Sequence, residues 1–146
     1  MAEAMALTDV TALAPRILNT LSGGEKARVH LARALAQLWH PRPDGTSRWL
    51  LLDEPTAALD LAHQHSAMRL LRAWAARGVG VVAVLHDLNL AAAFAPRIVV
   101  LHQGRVVADG APAEVLIPEL VSSVFGVRVQ VAYTEGGDRH LAVTEG

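Results

Sequence analysis

Two short apolar runs joined by one helical pattern constrain the fold of this chain more than any other feature. The runs cover residues 49–52 and 81–85, and continuous apolar segments of this length are typical of strands that are buried on both faces. Helical spacing between them predicts a helix over residues 60–77. A strand, a helix and a strand in this order form a βαβ unit with a right-handed crossover, so the sequence predicts an α/β fold.

Caps and breakers predict the elements before this unit. Residues 1–20 are weakly patterned, and Pro15 interrupts any helix there. Ser22 and Glu25 form an S-x-x-E capping box, which marks the start of a helix. Apolar residues then recur with helical spacing up to Leu38, and a loop rich in turn residues follows. The sequence therefore predicts one amphipathic helix before the βαβ unit.

The C-terminal part of the chain predicts shorter elements. A helix is expected over residues 88–94, and the Gln103-Gly104 pair favours a tight hairpin between two short strands. A helix that begins with a proline is expected over residues 118–124. Apolar and polar residues alternate over residues 127–131, which predicts a half-exposed strand, and the glycine pair at 136–137 favours a turn into a last strand. Small β-hairpins are therefore expected to close the fold.

The bulk composition argues against several classes of protein. The chain has 13 basic and 14 acidic residues, whereas nucleic-acid-binding domains usually carry a basic surplus. It has no cysteine, which excludes disulfides and thiolate metal sites. No secretory signal is visible at the start, and the longest apolar run is far shorter than the ~20 residues that span a bilayer. We therefore expect a cytoplasmic protein that does not bind nucleic acid.

Two carboxylates directly follow the first apolar run. Asp53 and Glu54 stand where a strand is predicted to end, and ligands of α/β sheets bind beyond the carboxyl ends of strands. One carboxylate can hold Mg²⁺ through water while its neighbour polarises an attacking water. An isolated Asp-Glu-Pro is more often a strand that ends in solvent. The apolar run before the pair and the other motifs of the chain favour a functional role.

Two further places are candidates for phosphate binding. Ser22, Gly23 and Gly24 offer a hydroxyl and bare amides at a helix start, which is a natural anion site, although any S-G-G-E by itself is an ordinary cap. His86 ends the second apolar run. A lone histidine at a strand end is more often structural, but a position near the two carboxylates would make His86 a candidate phosphate sensor.

Two kinds of site are not expected. His63 and His65 are two residues apart and so lie on different faces of their helix, which argues against a shared metal ion. Lys26 is the only lysine of the chain, and Glu25 precedes it where a G-x-x-x-x-G-K-[S/T] phosphate loop needs glycine. No residue of this chain can therefore act as a phosphate-loop lysine.

Together these motifs resemble the ATP-binding-cassette (ABC) transporter ATPase family. Residues 21–25 resemble its signature, residues 49–54 its Walker B strand, residues 57–60 its D-loop, and His86 its switch histidine. The resemblance covers about residues 5–132 and only the C-terminal half of a nucleotide-binding domain. It implies a partial three-layer α/β sheet of the P-loop NTPase type, without its N-terminal half.

The resemblance divides this partial ABC ATPase domain, residues 1–146, into three segments. Residues 1–40 are similar to the end of the helical subdomain with its signature helix. Residues 48–109 are similar to the core from Walker B to the switch histidine. Residues 110–146 are similar to the C-terminal helix and strands.

Several stretches look like the haemin-import ATPases of bacteria, namely residues 29–39, 60–65, 83–92 and 125–129. Iron-siderophore and cobalamin importers share much of this pattern, so both remain alternatives. The resemblance implies the import of haem iron, although no residue of such an ATPase touches the transported substrate.

The resemblance implies that ATP is bound between two subunits. Ser22, Gly23 and Gly24 would contact the γ-phosphate of ATP that the phosphate loop of a partner subunit holds, and Glu25 belongs to the same signature. Asp60 would communicate across the dimer.

The resemblance also implies the catalytic and metal-binding residues. Asp53 would position Mg²⁺ through water, Glu54 would act as general base, and His86 would hold the γ-phosphate and the attacking water. Two positions depart from the family pattern. Glu25 replaces the commonest Gln, which is a tolerated variant, and Ala57 replaces the usual D-loop Ser, which leaves the cross-dimer contact of that residue open.

The implied function is that of the ATP-hydrolysing subunit of an ABC importer, which energises transport by ATP-driven closure of a dimer. The implied partners are a second ATPase subunit, membrane permease subunits and, indirectly, a periplasmic haem-binding protein. The implied location is the inner face of the cell membrane.

Because the phosphate loop is missing, we expect the chain to be inactive alone. The alternative is a non-catalytic fragment or regulatory half-domain. A DNA-associated ABC ATPase is disfavoured by the balanced charge.

Overall fold

The computed structural model describes residues 1–144 and divides the chain into two compact units. The first unit covers residues 1–85 and the second residues 86–146. The three-segment division by motif stays a prediction. Within residues 1–144, no helix is both long and apolar enough to cross a membrane.

The first unit contains three helices and one pair of strands. Their bounds are α1 Ala2–Leu7, α2 Gly23–Gln37, β1 Arg48–Asp53, α3 Leu61–Ala75 and β2 Val79–Val84. Short 3-10 turns at Thr11–Leu13 and Leu18–Thr20 connect α1 to α2. The sequence did not predict α1, which has only one buried residue, Ala4, and therefore shows no periodic pattern.

The predicted βαβ unit is present. β1 and β2 pair in parallel, with Arg48 opposite Val79 and Asp53 opposite Val84. Helix α3 connects them and buries one apolar stripe, which consists of Ala67, Met68, Leu71 and Trp74. The α/β prediction is thus confirmed, and the carboxyl ends of both strands lie at the same edge of the sheet.

The prediction that both strands are buried on both faces is wrong. In β1 only Leu50 is buried, whereas the side chains of Trp49 and Leu51 are 61% and 74% exposed. In β2, Val82 and Val84 are 47% and 50% exposed. The physical reason is that the sheet has only two strands and α3 covers one of its faces. A continuous apolar run is therefore compatible with one-sided burial.

Helix α2 begins with the predicted capping box. The Ser22 hydroxyl accepts a hydrogen bond from the Glu25 amide, and the Glu25 carboxylate accepts one from the Ser22 amide. Leu31, Ala32 and Leu35 are buried along the helix, close to the predicted apolar stripe. The polar start of α2 is exposed, whereas its middle packs into the unit.

Within residues 86–144, the second unit contains two hairpins and three short helices. Their bounds are α4 Leu88–Phe94, β3 Ile98–His102, β4 Arg105–Gly110, α5 Pro112–Val115, α6 Pro118–Phe125, β5 Val129–Tyr133 and β6 Arg139–Val143. Both strand pairs are antiparallel. The core consists of Val100, Val115, Leu116, Val121, Val129 and Leu141.

The first hairpin turns at the predicted pair. Gln103 and Gly104 have φ angles of 49° and 75°, the positive values that a type I′ turn requires at both central residues. At the open end of this hairpin, away from the turn, Arg97 binds the Asp109 carboxylate through two hydrogen bonds of 2.7 Å. These bonds and the positive charge of Arg97 hold the pKa of Asp109 below its ordinary value.

The half-exposed strand predicted over residues 127–131 is shifted by two residues and runs over Val129–Tyr133. Helix α6 extends to Phe125 and ends at Gly126, whose φ of 70° is the left-handed C-cap. The next two residues carry the chain away from the helix before pairing begins, which explains the shift.

We expect adjacent leucines of β1 to respond in opposite ways to truncation. Leu50→Ala should destabilise the chain by about 2–5 kcal/mol because it empties a buried position. Leu51→Ala should change stability by less than ~0.5 kcal/mol because that side chain is exposed. It should also reduce self-association, since it removes part of an exposed apolar face. Circular dichroism melts and light scattering measure both effects, and equal destabilisation by the two variants would contradict the one-sided sheet.

The Arg97–Asp109 pair predicts a pH-dependent stability difference. The pKa of Asp109 is lowered in the folded chain from its ordinary 3.8, so the pair stabilises above that value and loses its effect as the pH falls through the folded pKa. Urea unfolding should therefore find Arg97→Gln less stable than the parent near neutral pH. The difference should close in strong acid. A difference that stays constant down to strong acid would show that the pair acts through packing.

Candidate functional site

The start of α2 presents an exposed polar surface at the predicted signature. Ser22 and Gly23 are exposed, and Gly24 is half-buried. The Glu25 amide lies 3.2 Å from the Ser22 hydroxyl oxygen, and the Ser22 amide lies 2.7 Å from Glu25 Oε2. The amides of Gly23 and Gly24 belong to the first helical turn, which has no acceptors of its own for them. These features fit an anion site, and the phosphate-binding role stays a prediction.

Glu25 is held in its charged form at this helix start. Hydrogen bonds from the Ser22 amide and hydroxyl lower the pKa of Glu25, with smaller contributions from the charges of Arg16 and Arg28. Arg16 Nη1 also lies 3.1 Å from Glu25 Oε1. At neutral pH the Glu25 carboxylate is therefore charged, and it binds the Ser22 amide of its own helix cap and the Arg16 guanidinium.

The start of α2 packs closely against the loop of residues 54–60. A Cβ atom on Gly24 would lie 2.9 Å from the carbonyl oxygen of Ala58, and one on Gly23 would lie 3.6 Å from Ala58 Cβ. Any side chain at Gly24 would thus force this backbone apart. The sequence alone did not predict this approach, although two consecutive glycines in a helix are a signal for close packing.

Asp53 and Glu54 lie at the predicted edge of the sheet. Asp53 is the last residue of β1, and both residues are exposed. The Glu54 amide donates to Val84 O at 3.2 Å, which extends the strand pairing by one residue. Glu54 has a φ of 46°, a left-handed value that is uncommon for a residue with a side chain. Such backbone strain is found preferentially at functional sites.

Asp60 caps α3 and takes part in a chain of polar contacts. Its Oδ1 accepts from the His63 amide at 2.9 Å and lies 2.8 Å from His63 Nδ1. His63 Nε2 lies 2.8 Å from Arg28 Nη1, which also donates to Asp9 Oδ2 at 2.9 Å. The hydrogen bonds from His63, backbone first, lower the pKa of Asp60.

The sequence missed the partners of Asp60. Arg28 lies off the apolar stripe of α2, and the spacing of His63 from His65 concerns metal binding and not a contact with Asp60. The signal was present, because an Asp at a helix N-cap accepts from the residue three positions later. His63 occupies that position. Asp9, however, is distant in the sequence and gives no such signal.

His86 is the first residue of the second unit and is exposed. It follows β2 and precedes Asp87, which caps α4 by accepting from the amides of Asn89 and Leu90 at 2.9 Å. The proximity of His86 to the carboxylates of the first unit stays a prediction.

Asp53 is the residue that is expected to bind a metal ion. Among residues 1–144, no group of three or more His, Cys, Asp or Glu side chains is arranged to hold a metal. Asp53 offers one exposed carboxylate at the sheet edge. A single carboxylate fits Mg²⁺, which usually retains several waters and binds few protein ligands. The metal-binding role of Asp53 stays a prediction.

Lys26, the only lysine of the chain, lies in the first turn of α2 and follows Glu25, where a phosphate loop needs glycine. This position agrees with the conclusion from the sequence that it cannot serve as a phosphate-loop lysine.

Sequence comparison relates the chain to haemin import proteins. It is 55% identical over 143 residues to the hemin import ATP-binding protein HmuV of Myxococcus xanthus, covering 98% of this chain and 53% of that protein. It is 57% identical over 131 residues to the HmuV of Rhodococcus jostii, covering 90% of this chain and 42% of that protein. The chain spans about half the length of these curated relatives. No family model matches it.

Structure comparison relates it to ABC ATPase domains. A protein described as a metal-chelate type ABC transporter, in an inward-facing conformation, matches with a TM-score of 0.78 and 28% identity over 98% of this chain and 55% of that chain. A dimeric ATP-binding cassette bound to ADP and Pi matches with a TM-score of 0.65 and 35% identity over 75% of this chain and 44% of that chain. By sequence and by fold, the chain is a homologue of the ABC-type ATP-binding proteins and corresponds to about half of such a protein.

Proposed function

We propose that the chain contributes the signature face and the catalytic carboxylates of an importer ATPase, with haemin as the transported substrate. The observation that carries the proposal is the 55% identity to a hemin import ATP-binding protein over 98% of this chain. The exposed glycine-rich start of α2 and the carboxylates after β1 support it, because both are chemically suited to ATP. Iron-siderophore or cobalamin import is the alternative for the substrate.

The proposed role of the signature is to complete an ATP site in another subunit. Ser22, Gly23 and Gly24 would direct a hydroxyl and two backbone amides at the γ-phosphate of ATP on that subunit. The positive end of the α2 dipole would add to this attraction. Because such contacts require ATP, nucleotide binding would draw the two subunits together. Closure of this dimer is the step that would drive transport through the permease subunits, at the inner face of the membrane.

The proposed chemistry at the sheet edge is the in-line attack of water on the γ-phosphate. Glu54 would orient and deprotonate this water, and His86 would contact the γ-phosphate. Asp53 would hold Mg²⁺ through water, and the ion would offset the charge of the phosphate oxygens. The left-handed backbone of Glu54 supports this assignment, because backbone strain of this kind is found preferentially at functional sites.

A regulatory half-domain is the second candidate function. The observation that favours it is that Lys26, the only lysine, follows Glu25 and not glycine, so the 146 residues contain no phosphate-loop lysine. Such a chain could still bind through its signature face to a complete subunit and occupy one side of its ATP site. A periplasmic haem-binding protein would be an indirect partner in either case.

We expect substitution of Ser22 to separate anion binding from helix capping. Ser22→Asp and Ser22→Asn should both preserve α2, because Asp and Asn cap helices about as well as Ser. Only Ser22→Asp would add a negative charge at the proposed phosphate site. It should weaken ATP-dependent association with the full-length HmuV of Myxococcus xanthus by roughly tenfold or more, since opposed like charges are costly. Sedimentation with and without ATP measures the effect, and circular dichroism verifies the helix.

The same pair of variants provides the control. Ser22→Asn also loses the hydroxyl but adds no charge, so it should associate less well than the parent and clearly better than Ser22→Asp. Equal association of both variants with the full-length protein, or association that does not depend on ATP, would rule out the signature role.

We also expect the purified 146-residue chain not to turn over ATP. Phosphoryl transfer depends on electrostatic clamping of the phosphates, and this chain lacks both the lysine and the loop amides that supply it. The measurement is steady-state phosphate release, with Glu54→Gln as the control of equal size. Steady release that Glu54→Gln abolishes would contradict the expectation, whereas release that is equal in both chains indicates a contaminating ATPase.

A further inference from the structure

His63 connects two segments of the first unit that the sequence treats as separate motifs. Its Nδ1 lies 2.8 Å from Asp60 Oδ1, at the N-cap of α3. Its Nε2 lies 2.8 Å from Nη1 of Arg28, on α2. The Arg28 side chain is only 17% exposed and also binds Asp9, so its position is fixed from two sides. The signature helix and the D-loop aspartate are thereby linked through one imidazole ring.

The hydrogen-bond partners of the ring imply which nitrogen carries the proton. A guanidinium group is always protonated and can only donate, so His63 Nε2 must accept from Arg28. The proton of a neutral ring then lies on Nδ1 and is donated to Asp60. A proton on Nε2 would place two donors 2.8 Å apart and break the link. The contact between the two segments thus requires the Nδ1–H form.

Two further contacts hold the loop of residues 54–60 in place. The carbonyl oxygen of Ala58 lies so close to Gly24 that a side chain there would clash. From the other side, Gln64 Nε2 donates to Leu59 O at 3.0 Å and to Thr56 O at 3.3 Å. The loop therefore contacts α2 on one side and α3 on the other, and His63 contacts its last residue, Asp60.

We propose that His63 is a positioning residue, which holds the Asp60 carboxylate and residues 56–60 to the start of α2 so that both segments meet a partner subunit as one rigid surface. This role rests on the proposed function, since it concerns the face that would complete the ATP site. His63 itself would touch neither ATP nor the partner. It would act by fixing Asp60 through Nδ1 and Arg28 through Nε2.

The first test reads the protonation of the ring directly. Long-range ¹⁵N–¹H correlation spectra of the labelled chain near neutral pH should give His63 the signature of the Nδ1–H tautomer, and its signals are identified by their loss in His63→Asn. In Arg28→Gln the Nδ1 proton should stay on the ring, because Asp60 still accepts from it, whereas the Nε2 resonance should move because its guanidinium donor is lost. Arg33→Gln is the matched control, because it removes the same charge from an exposed position of the same helix. An Nε2–H or doubly protonated ring in the parent chain would refute the link.

The second test measures whether the link holds the loop. Amide hydrogen exchange at residues 57–60 should accelerate several-fold in Arg28→Gln and in His63→Asn, because both variants lose the contact between residue 63 and residue 28. The shorter Asn side chain can keep only the contact with Asp60. Exchange at Leu71, in the buried part of α3, should stay unchanged and shows that the variants are folded. Arg33→Gln should leave both regions unchanged. Equal acceleration at the loop and at Leu71, or none at the loop, would refute the positioning role.

A third measurement separates this inference from the proposed function. If the parent chain associates with the full-length relative in the presence of ATP, His63→Asn should weaken that association several-fold, and unchanged association would refute the positioning role. The tautomer and exchange results can be as expected although the parent does not associate with the relative. In that case the proposed function fails, and so does the role of His63 in holding a surface for the partner subunit. The link between α2 and Asp60 would then stand as a structural feature alone.

Discussion

Parallel pairing of β1 with β2, stabilised by α3 on one face, is the constraint on which the first unit depends. Because the pairing is parallel, the chain must cross over through a helix, and both strands end at the same edge. That edge fixes where Asp53 and Glu54 can lie. The uncovered face does not disturb this arrangement, because Leu50 and Val79 supply buried apolar contacts on the covered side. The position of the carboxylates is therefore a consequence of topology and does not require a fully enclosed sheet.

Helix N-caps then fix the polar groups around this edge. Ser22 begins α2 and Asp60 begins α3, and each cap accepts a backbone amide of its own helix. Gly24 lets α2 approach the loop before α3, so the two caps lie on neighbouring segments. An N-cap residue is oriented by its helix before any ligand arrives. The arrangement thus limits the ordering that ATP or a partner would have to impose, which lowers the entropic cost of binding.

Local patterns in the sequence predicted most of the elements, whereas burial and long-range contacts escaped them. The capping box, α3, α4 and the hairpin turn at Gln103 depend on residues a few positions apart, and all four are confirmed. The prediction that β1 is buried on both faces was wrong, because an apolar run does not show whether other elements cover one face of the sheet or two. The contact of Arg28 with Asp9 joins residues 19 positions apart, and no periodicity encodes it. The roles of Asp53, Glu54 and His86 depend on ATP and a partner subunit, so they stay predictions.

A glutamate at a helix start that is proposed to bind phosphate is a physical difficulty that the geometry of Glu25 resolves. A free carboxylate beside Gly23 and Gly24 would repel phosphate. Glu25 Oε2 instead accepts the Ser22 amide at 2.7 Å, and Oε1 lies 3.1 Å from Arg16. Arg28 lowers the pKa of the same carboxyl further through its charge. The negative charge is therefore bound within the cap and opposed by the two guanidinium groups of Arg16 and Arg28. Glu25 can thus replace the commoner Gln because its charge stabilises the helix that presents the glycines.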